Sequence, residues 1–232
     1  VRVQSGSYIS SANSTSHTVT FGSTPAAGNT VIVAINSDGT ISTPSGWTKA
    51  AGNINFSDCS IFYRQNVPAS MTSVAFTINA NTSLVAWYEE RDDLGTAGAL
   101  DKTATGTTST GSPPTIASGT TAATVAANEY LLAAFGWPWG ATADDIVSYS
   151  NSFTSAFSNH NTVGARVYLG VASKTVAATG TQTTTATVGS GGDGNPVGVI
   201  TTWQIQSAAA SLVIPRRGDR GLILRPRRRR SV

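Results

Sequence analysis

Two short apolar runs constrain this chain most: Asn29 to Asn36, NTVIVAIN, and Asn128 to Trp137, NEYLLAAFGW. Each is entered through a Gly/Asn-type turn. Each is too short for an ordinary buried helix and long enough for a strand through a sandwich core. Val31, Val33 and Ile35 share one face of the first run, and Ile32 and Ala34 share the other. Apolar residues on both faces predict a central strand, covered on both sides or lying at a subunit contact. In the second run Tyr130, Leu132 and Ala134 alternate against Leu131, Ala133 and Phe135. Similar elements follow each run in the same order: a polar loop with an aromatic, an alternating strand, a Thr/Ser-rich strand and a Trp-containing strand. In the first half these are GWTKA, CSIFYRQNV, SVAFTIN and SLVAWYEE. In the second they are SYSNSFTSAF, ARVYLGVAS, TTTATV and PVGVITTWQIQ. The pattern reads as a weak internal duplication, with both halves building one double-layered β-structure.

The expected fold class is therefore all-β, an antiparallel β-sandwich. Val31, Val33, Ile35, Leu132, Ala134, Val199 and Ile205 are expected to share one core. Asp38-Gly39 within SDGT predicts a hairpin turn. The Gly/Thr/Ser-rich stretch from Ala97 to Gly119 fits a linker or a long crossing segment with a surface strand. The second is favoured, because separate halves would leave extended edges exposed. The expected division is a β-sandwich body over residues 1–207 and an extended basic tail over residues 208–232.

Only 12% of the 232 residues are charged, about half the usual fraction, which suits a β-protein better than exposed helices. The net charge of +3 hides an asymmetry. Eight Arg and one Asp between Arg216 and Arg230 give +7, while seven basic and eleven acidic residues before them give −4. The single Cys59 leaves no internal disulfide framework and alternates with Ile61 and Tyr63, as a buried small hydrophobe would. No signal-peptide pattern and no apolar run long enough to span a bilayer occurs, so no membrane partner is expected.

No catalytic constellation stands out, and the expectation is a non-enzymatic protein without cofactor or metal. His17 and His160 stand in no metal-binding spacing, and no nucleophile elbow or phosphate-binding glycine loop is present. Glu89 and Asp93 could converge as a glycosidase pair, but Glu89, Glu90, Asp92 and Asp93 read better as solvated charges on a strand end. Asp144, Asp145 and Asp193 offer oxygen ligands for calcium without an EF-hand pattern. Trp137 and Trp139, flanking Pro138, could form a flat platform for a host-surface glycan, as could Tyr149 and Phe153. The same aromatics suit a core or a subunit contact. Trp47 reads as a core plug.

The tail carries two apolar islands, Leu212 to Ile214 and Leu222 to Leu224. Val213, Ile214, Leu222 and Leu224 are the expected anchors on a neighbouring protein subunit. Arg216, Arg217, Arg220, Arg225, Arg227, Arg228, Arg229 and Arg230 are the expected partners of carboxylates or carbonyls there. Nucleic acid is the weaker alternative for this arginine block. The Arg-Gly-Asp at Arg217 to Asp219 is too short a match to carry an adhesion role.

The order TPAAGNTVIVAI, PSGWTKAAG, CSIFYRQNV, SVAFTI, SLVAWYEERDDLG, ALDKTATGTTSTG and ANEYLLAAFGW resembles β-sandwich proteins of tailed bacteriophages, the minor tail or virion structural proteins. It also looks like concanavalin-like jelly rolls. The resemblance covers roughly residues 14–206. It implies a jelly-roll-like sandwich, with the Gly28 turn, the Gly46-Trp47 pair and the Trp87-Tyr88 strand as framework positions. It also implies a place in the virion, as a tail, head-decoration or connector-associated component in a homo-oligomer or symmetric assembly. A carbohydrate-binding module for host recognition is the alternative. The arginine tail lies outside the common pattern and favours anchoring over a simple receptor-binding tip.

Overall fold

The computed structural model describes residues 1–109, 114–138, 146–164, 166–189 and 196–206, and every regular element among them is a β-strand. The strands of the first half are β1 (Arg2–Ile9), β2 (Ser14–Thr20), β3 (Thr30–Ser37), β4 (Thr48–Asn55), β5 (Ser57–Arg64), β6 (Ser73–Thr82) and β7 (Leu84–Arg91). Those of the second half are β8 (Leu100–Ser109), β9 (Thr115–Thr120), β10 (Glu129–Pro138), β11 (Ile146–Tyr149), β12 (Thr154–His160), β13 (Val167–Val176), β14 (Thr183–Val188) and β15 (Val197–Gln204). All pairings are antiparallel.

The two halves repeat one topology. The first orders its main sheet β1-β7-β3-β5-β4 and pairs β2 with β6 separately. The second runs β8-β15-β10-β13-β12 in the same sense and pairs β9 with β14. Within each half the pairs nest: β1 with β7, β2 with β6, β3 with β5, and correspondingly β8 with β15, β9 with β14, β10 with β13. That is a long antiparallel ribbon rolled onto itself, the jelly-roll principle. The halves differ in that β8 also pairs with β9, and β11 is added beside β14, so the second half is one curled eight-stranded sheet. The curl brings the β9 backbone against β8 and β15. A Cβ on Gly106 or Gly198 would lie 2.4 or 2.3 Å from the Ala117 carbonyl oxygen, so only glycine fits at either position.

Three apolar cores result. Val31, Val33, Ile35, Phe62, Leu84 and Tyr88 face Val19, Val74, Phe76 and Ile78 inside the first half. Leu131, Ala133, Phe135, Tyr168 and Ile200 face Ile116, Ala186 and Val188 inside the second. Between the two main sheets, Ile32, Ala34, Cys59, Ile61 and Trp87 meet Leu132, Ala134, Leu169, Val171, Val199 and Trp203, with Ile205 packed beside them. This β-structure is sandwiches stacked on a shared face, four layers deep. Tyr63 meets Trp203 edge to face across the joint, with ring centroids 4.9 Å apart. Buried Asn36 donates from Nδ2 to the carbonyls of Tyr168 (2.7 Å) and Trp137 (3.2 Å).

Several sequence expectations are corrected. Val31, Val33 and Ile35 do not share a core with Leu132, Ala134 and Val199; the opposite face of β3, with Ile32 and Ala34, does. Strands apolar on both faces carry no parity signal, and a one-residue offset exchanges the faces. Asp38-Gly39 turns no hairpin. Both edges of β3 are taken by β5 and β7, so the chain leaves the sheet, bridges β6 through Ile41 and Ile78, and returns as β4. β4, β11 and β12 occupy stretches expected as polar loops, and the 97–119 crossing holds two strands. The alternation read in β5 and β10 matches the faces observed.

Candidate functional site

The acidic cluster at the end of β7 is not a solvated strand end. Glu89 and Glu90 are both buried. Glu89 Oε2 accepts from Arg2 Nε at 2.9 Å, and an Arg91 guanidinium nitrogen lies 4.0 Å away. Arg91 also forks onto both oxygens of Asp93, at 2.9 and 2.7 Å, and stacks 3.6 Å from the Tyr130 ring centroid of the other half. Burial raises the Glu89 carboxyl above its ordinary range despite the opposing pull of Arg91 and Arg2. Burial works against ionisation of Asp93 as well, but Arg91 and the terminal amine outweigh it and hold the carboxyl low. Asp92 pairs with that amine. Glu90 accepts from three uncharged donors: Gln4 Nε2 (2.7 Å), the Ala26 amide (2.8 Å) and Asn29 Nδ2 (2.6 Å). Through Arg91 on Tyr130 and through the donors to Glu90, this cluster ties the two halves and the 24–29 turn together, while Glu89 Oε1 stays buried without a hydrogen-bond partner. Glu89 and Asp93 do not flank an open space as a glycosidase pair must; they share Arg91.

Of the two roles open to Trp137, core and sugar platform, the structure shows the core. Trp137 is 1% exposed and stacks on Tyr168 with centroids 4.0 Å apart, so neither ring face can meet a sugar. Phe153 is buried in the second core, and half-buried Tyr149 packs on Phe135. Trp139, Asp144, Asp145 and Asp193 lie outside the described residues, as does the whole tail from Ser207 onward, with every docking residue named above. His17 is buried between the Tyr8 hydroxyl (3.1 Å from Nδ1) and the Thr82 carbonyl (3.0 Å from Nε2). The carbonyl requires Nε2 to donate, so Nδ1 is free to accept from Tyr8. Cys59 is buried, and burial raises its thiol far out of the reactive range. Among the described residues no group of three or more His, Cys, Asp or Glu is placed to hold a metal ion.

A cleft missed by sequence reasoning lies at the opposite end of the first half. It holds about 200 Å³ between the turn after β3 (Asp38, Gly39, Thr40), the β4–β5 hairpin tip (Ile54, Phe56, Ser57, Asp58) and Asn79 and Ala80 of β6. β4 and β5 are joined through a single intervening residue, Phe56, which sits at φ +62°. This left-handed position in a tight hairpin favours Gly or Asn. A residue with a Cβ is strained there by about 1–2 kcal/mol. Phe56 is 71% exposed and its neighbour Ile54 is 56% exposed, so little burial offsets that strain. Ser57 is 1% exposed and its Oγ has no hydrogen-bond partner. Asn79 Oδ1 accepts from the Thr40 amide at 2.9 Å, which leaves its NH2 group directed elsewhere. Asp58 is occupied: it accepts from the Ile41 amide (2.9 Å) and the Ser60 hydroxyl, and pairs with Lys49 (3.3 Å). The sequence signal was the stretch Asn53-Ile54-Asn55-Phe56-Ser57, two apolar side chains among turn formers. Its force depends on seeing that a hairpin turns there.

A second depression, of about 290 Å³, is lined by the polar residues Asn151, Ser152, Lys174, Thr181, Gln182 and Thr183. Compared with known proteins, the chain matches no family model, no curated protein and no solved structure.

Proposed function

We propose that the protein is a structural component of a bacteriophage virion, a minor tail, head-decoration or connector-associated protein, whose β body is held to neighbouring subunits by residues 208–232. The supporting observation is a mismatch of charge. The described residues carry eight acidic and seven basic side chains, and several of the carboxylates are already paired at home: Glu89 with Arg2 and Arg91, Asp58 with Lys49, Asp101 with Lys102, and Asp93 with Arg91. The described body therefore offers little to balance eight tail arginines. Their counter-charges are to be sought on another molecule.

Leu222, Leu224, Val213 and Ile214 set the strength of the attachment. Full burial of one such side chain contributes roughly 1.5–3 kcal/mol, whereas an exposed ion pair contributes about 0.2–1 kcal/mol. The arginines then select register and partner. Removal of residues 208–232 should leave a folded body that fails to join particles. Changing Leu222 and Leu224 to Ser should lower incorporation more than changing Arg229 and Arg230 to Ser. Normal incorporation of the truncated body would overturn the reading. Attachment lost steeply with added salt and dependent on Arg227 to Arg230 would assign the tail to nucleic acid instead.

A further inference from the structure

We propose that the cleft at the β4–β5 hairpin tip is a saccharide-binding subsite, with Phe56 as its stacking face and Ser57, Asp38 and Asn79 as its hydroxyl-binding groups. The first support is conformational. A phenylalanine held at φ +62° with 71% of its surface in solvent gains nothing for folding that glycine would not give at lower strain. Backbone strain kept at an exposed aromatic marks a working position rather than a packing one.

The second support is the unpartnered Ser57 Oγ. A buried hydroxyl without a partner is costly, and it lines the same cleft as Phe56. The third is the balance of hydrogen-bonding groups. A sugar hydroxyl both donates and accepts. Ser57 can do either, the Asp38 carboxylate accepts, and the Asn79 NH2 group donates because its oxygen is held by Thr40. Asp58 is saturated and shapes the floor without meeting the ligand. The electron-rich ring face of Phe56 attracts the C–H face of a pyranose, and the space of about 200 Å³ suits one sugar ring rather than an extended glycan.

The test uses the full chain and four monosaccharides, glucose, galactose, N-acetylglucosamine and rhamnose, titrated by heteronuclear NMR alongside a glycan array. At least one sugar should shift the amides of residues 38–40, 54–58 and 79–80. Phe56→Gly should weaken that binding by about tenfold or more while leaving the melting temperature unchanged or higher, because it relieves the strained turn. Ser57→Ala, which removes one hydrogen bond, should weaken it by about 3–10-fold. Absence of any saccharide response, or a response undiminished in the Phe56→Gly chain, overturns the proposal. If a peptide of residues 208–232 shifts the same amides and no sugar does, the cleft is a dock for the tail and the saccharide reading is wrong.

Discussion

The β4–β5 hairpin of the first half and the β12–β13 hairpin of the second occupy the same place in the repeated topology, and they make their turns with opposite residues. At the second tip Gly164 takes the left-handed position, φ +63°. Asn161 closes that loop by accepting from the Val167 amide at 2.6 Å and donating to the Val163 carbonyl. At the first tip Phe56 takes the left-handed position at φ +62°. The fold therefore accepts glycine here, and a Cβ at Gly164 would require the exposed Asn13 side chain to move aside. Of the two tips, only the first carries a large side chain at its left-handed position. One scaffold supports both ends, and only one end departs from what folding alone would choose.

Three experiments break or sharpen that comparison. The largest effect is expected at the shared core. Trp203→Ala removes the side chain that meets Tyr63 across the joint and should cost about 3–5 kcal/mol. If the halves fold as one unit, chemical denaturation of this variant shows a single transition at lower denaturant by both fluorescence and circular dichroism. Two separated transitions would make the halves autonomous, and the hairpins would have to be compared as parts of two folds.

An exchange at the turns should have a smaller effect, and opposite signs at the two ends. Gly164→Phe places a Cβ into both a left-handed backbone and Asn13, and should destabilise by about 1–3 kcal/mol. Phe56→Gly should be neutral or stabilising by up to about 1 kcal/mol, the relief of strain being partly offset by the greater freedom of glycine in the unfolded chain. Thermal melts of both variants decide the matter. A loss of more than about 1 kcal/mol in Phe56→Gly would mean that the ring is structural, and the contrast between the tips would lapse.

The smallest effect concerns the joint at its other end. The folded Glu89 carboxyl is raised, mainly by burial. The folded chain therefore keeps that proton to higher pH than the unfolded chain does. The resulting stability is present below the ordinary carboxylate value of about 4.3 and is lost as pH rises through the folded value. Asp93, held low, has the opposite sign and loses its contribution as pH falls. The difference in melting temperature, wild type minus Glu89→Gln, should accordingly decrease as pH rises from about 4 to about 7. A difference that grows instead would show Arg2 and Arg91 outweighing burial.

Much of the fold was legible in the sequence, and the reasons are local. Period-2 alternation in β5 fixed both strand and face, with Cys59, Ile61 and Tyr63 on one side and Phe62 on the other. In β3 every position from Thr30 to Ser37 is buried, so the pattern specified a central strand without saying which face met which layer. Asp38-Gly39 signalled a reversal, but dipeptide chemistry cannot tell a hairpin from an exit to another sheet. The site was less legible. Trp137 could be read as a platform because it alternates with Trp139 about Pro138, yet its ring face is covered by Tyr168, some thirty residues away in sequence and adjacent only in space. Phe56 was hidden for the converse reason: its meaning lies in a backbone angle, which no composition reports.

The nested pairing has a consequence for how the chain comes into being. Among the nested pairs of the first half, the innermost, β3 with β5, is the nearest in sequence, and the outermost, β1 with β7, is joined across more than sixty residues. Contacts of such long sequence separation form slowly. During synthesis the first half can close only once β7 has emerged, and domains tend to fold as they appear, N-terminal first. At that moment Ile32, Ala34, Ile61 and Trp87 present a finished apolar face whose cover, β10, β13 and β15, is not yet made. The second half must therefore be laid down against a surface that could equally pair with another nascent chain. Its yield in the cell should depend on translation speed between residues 92 and 204 more than on speed anywhere earlier.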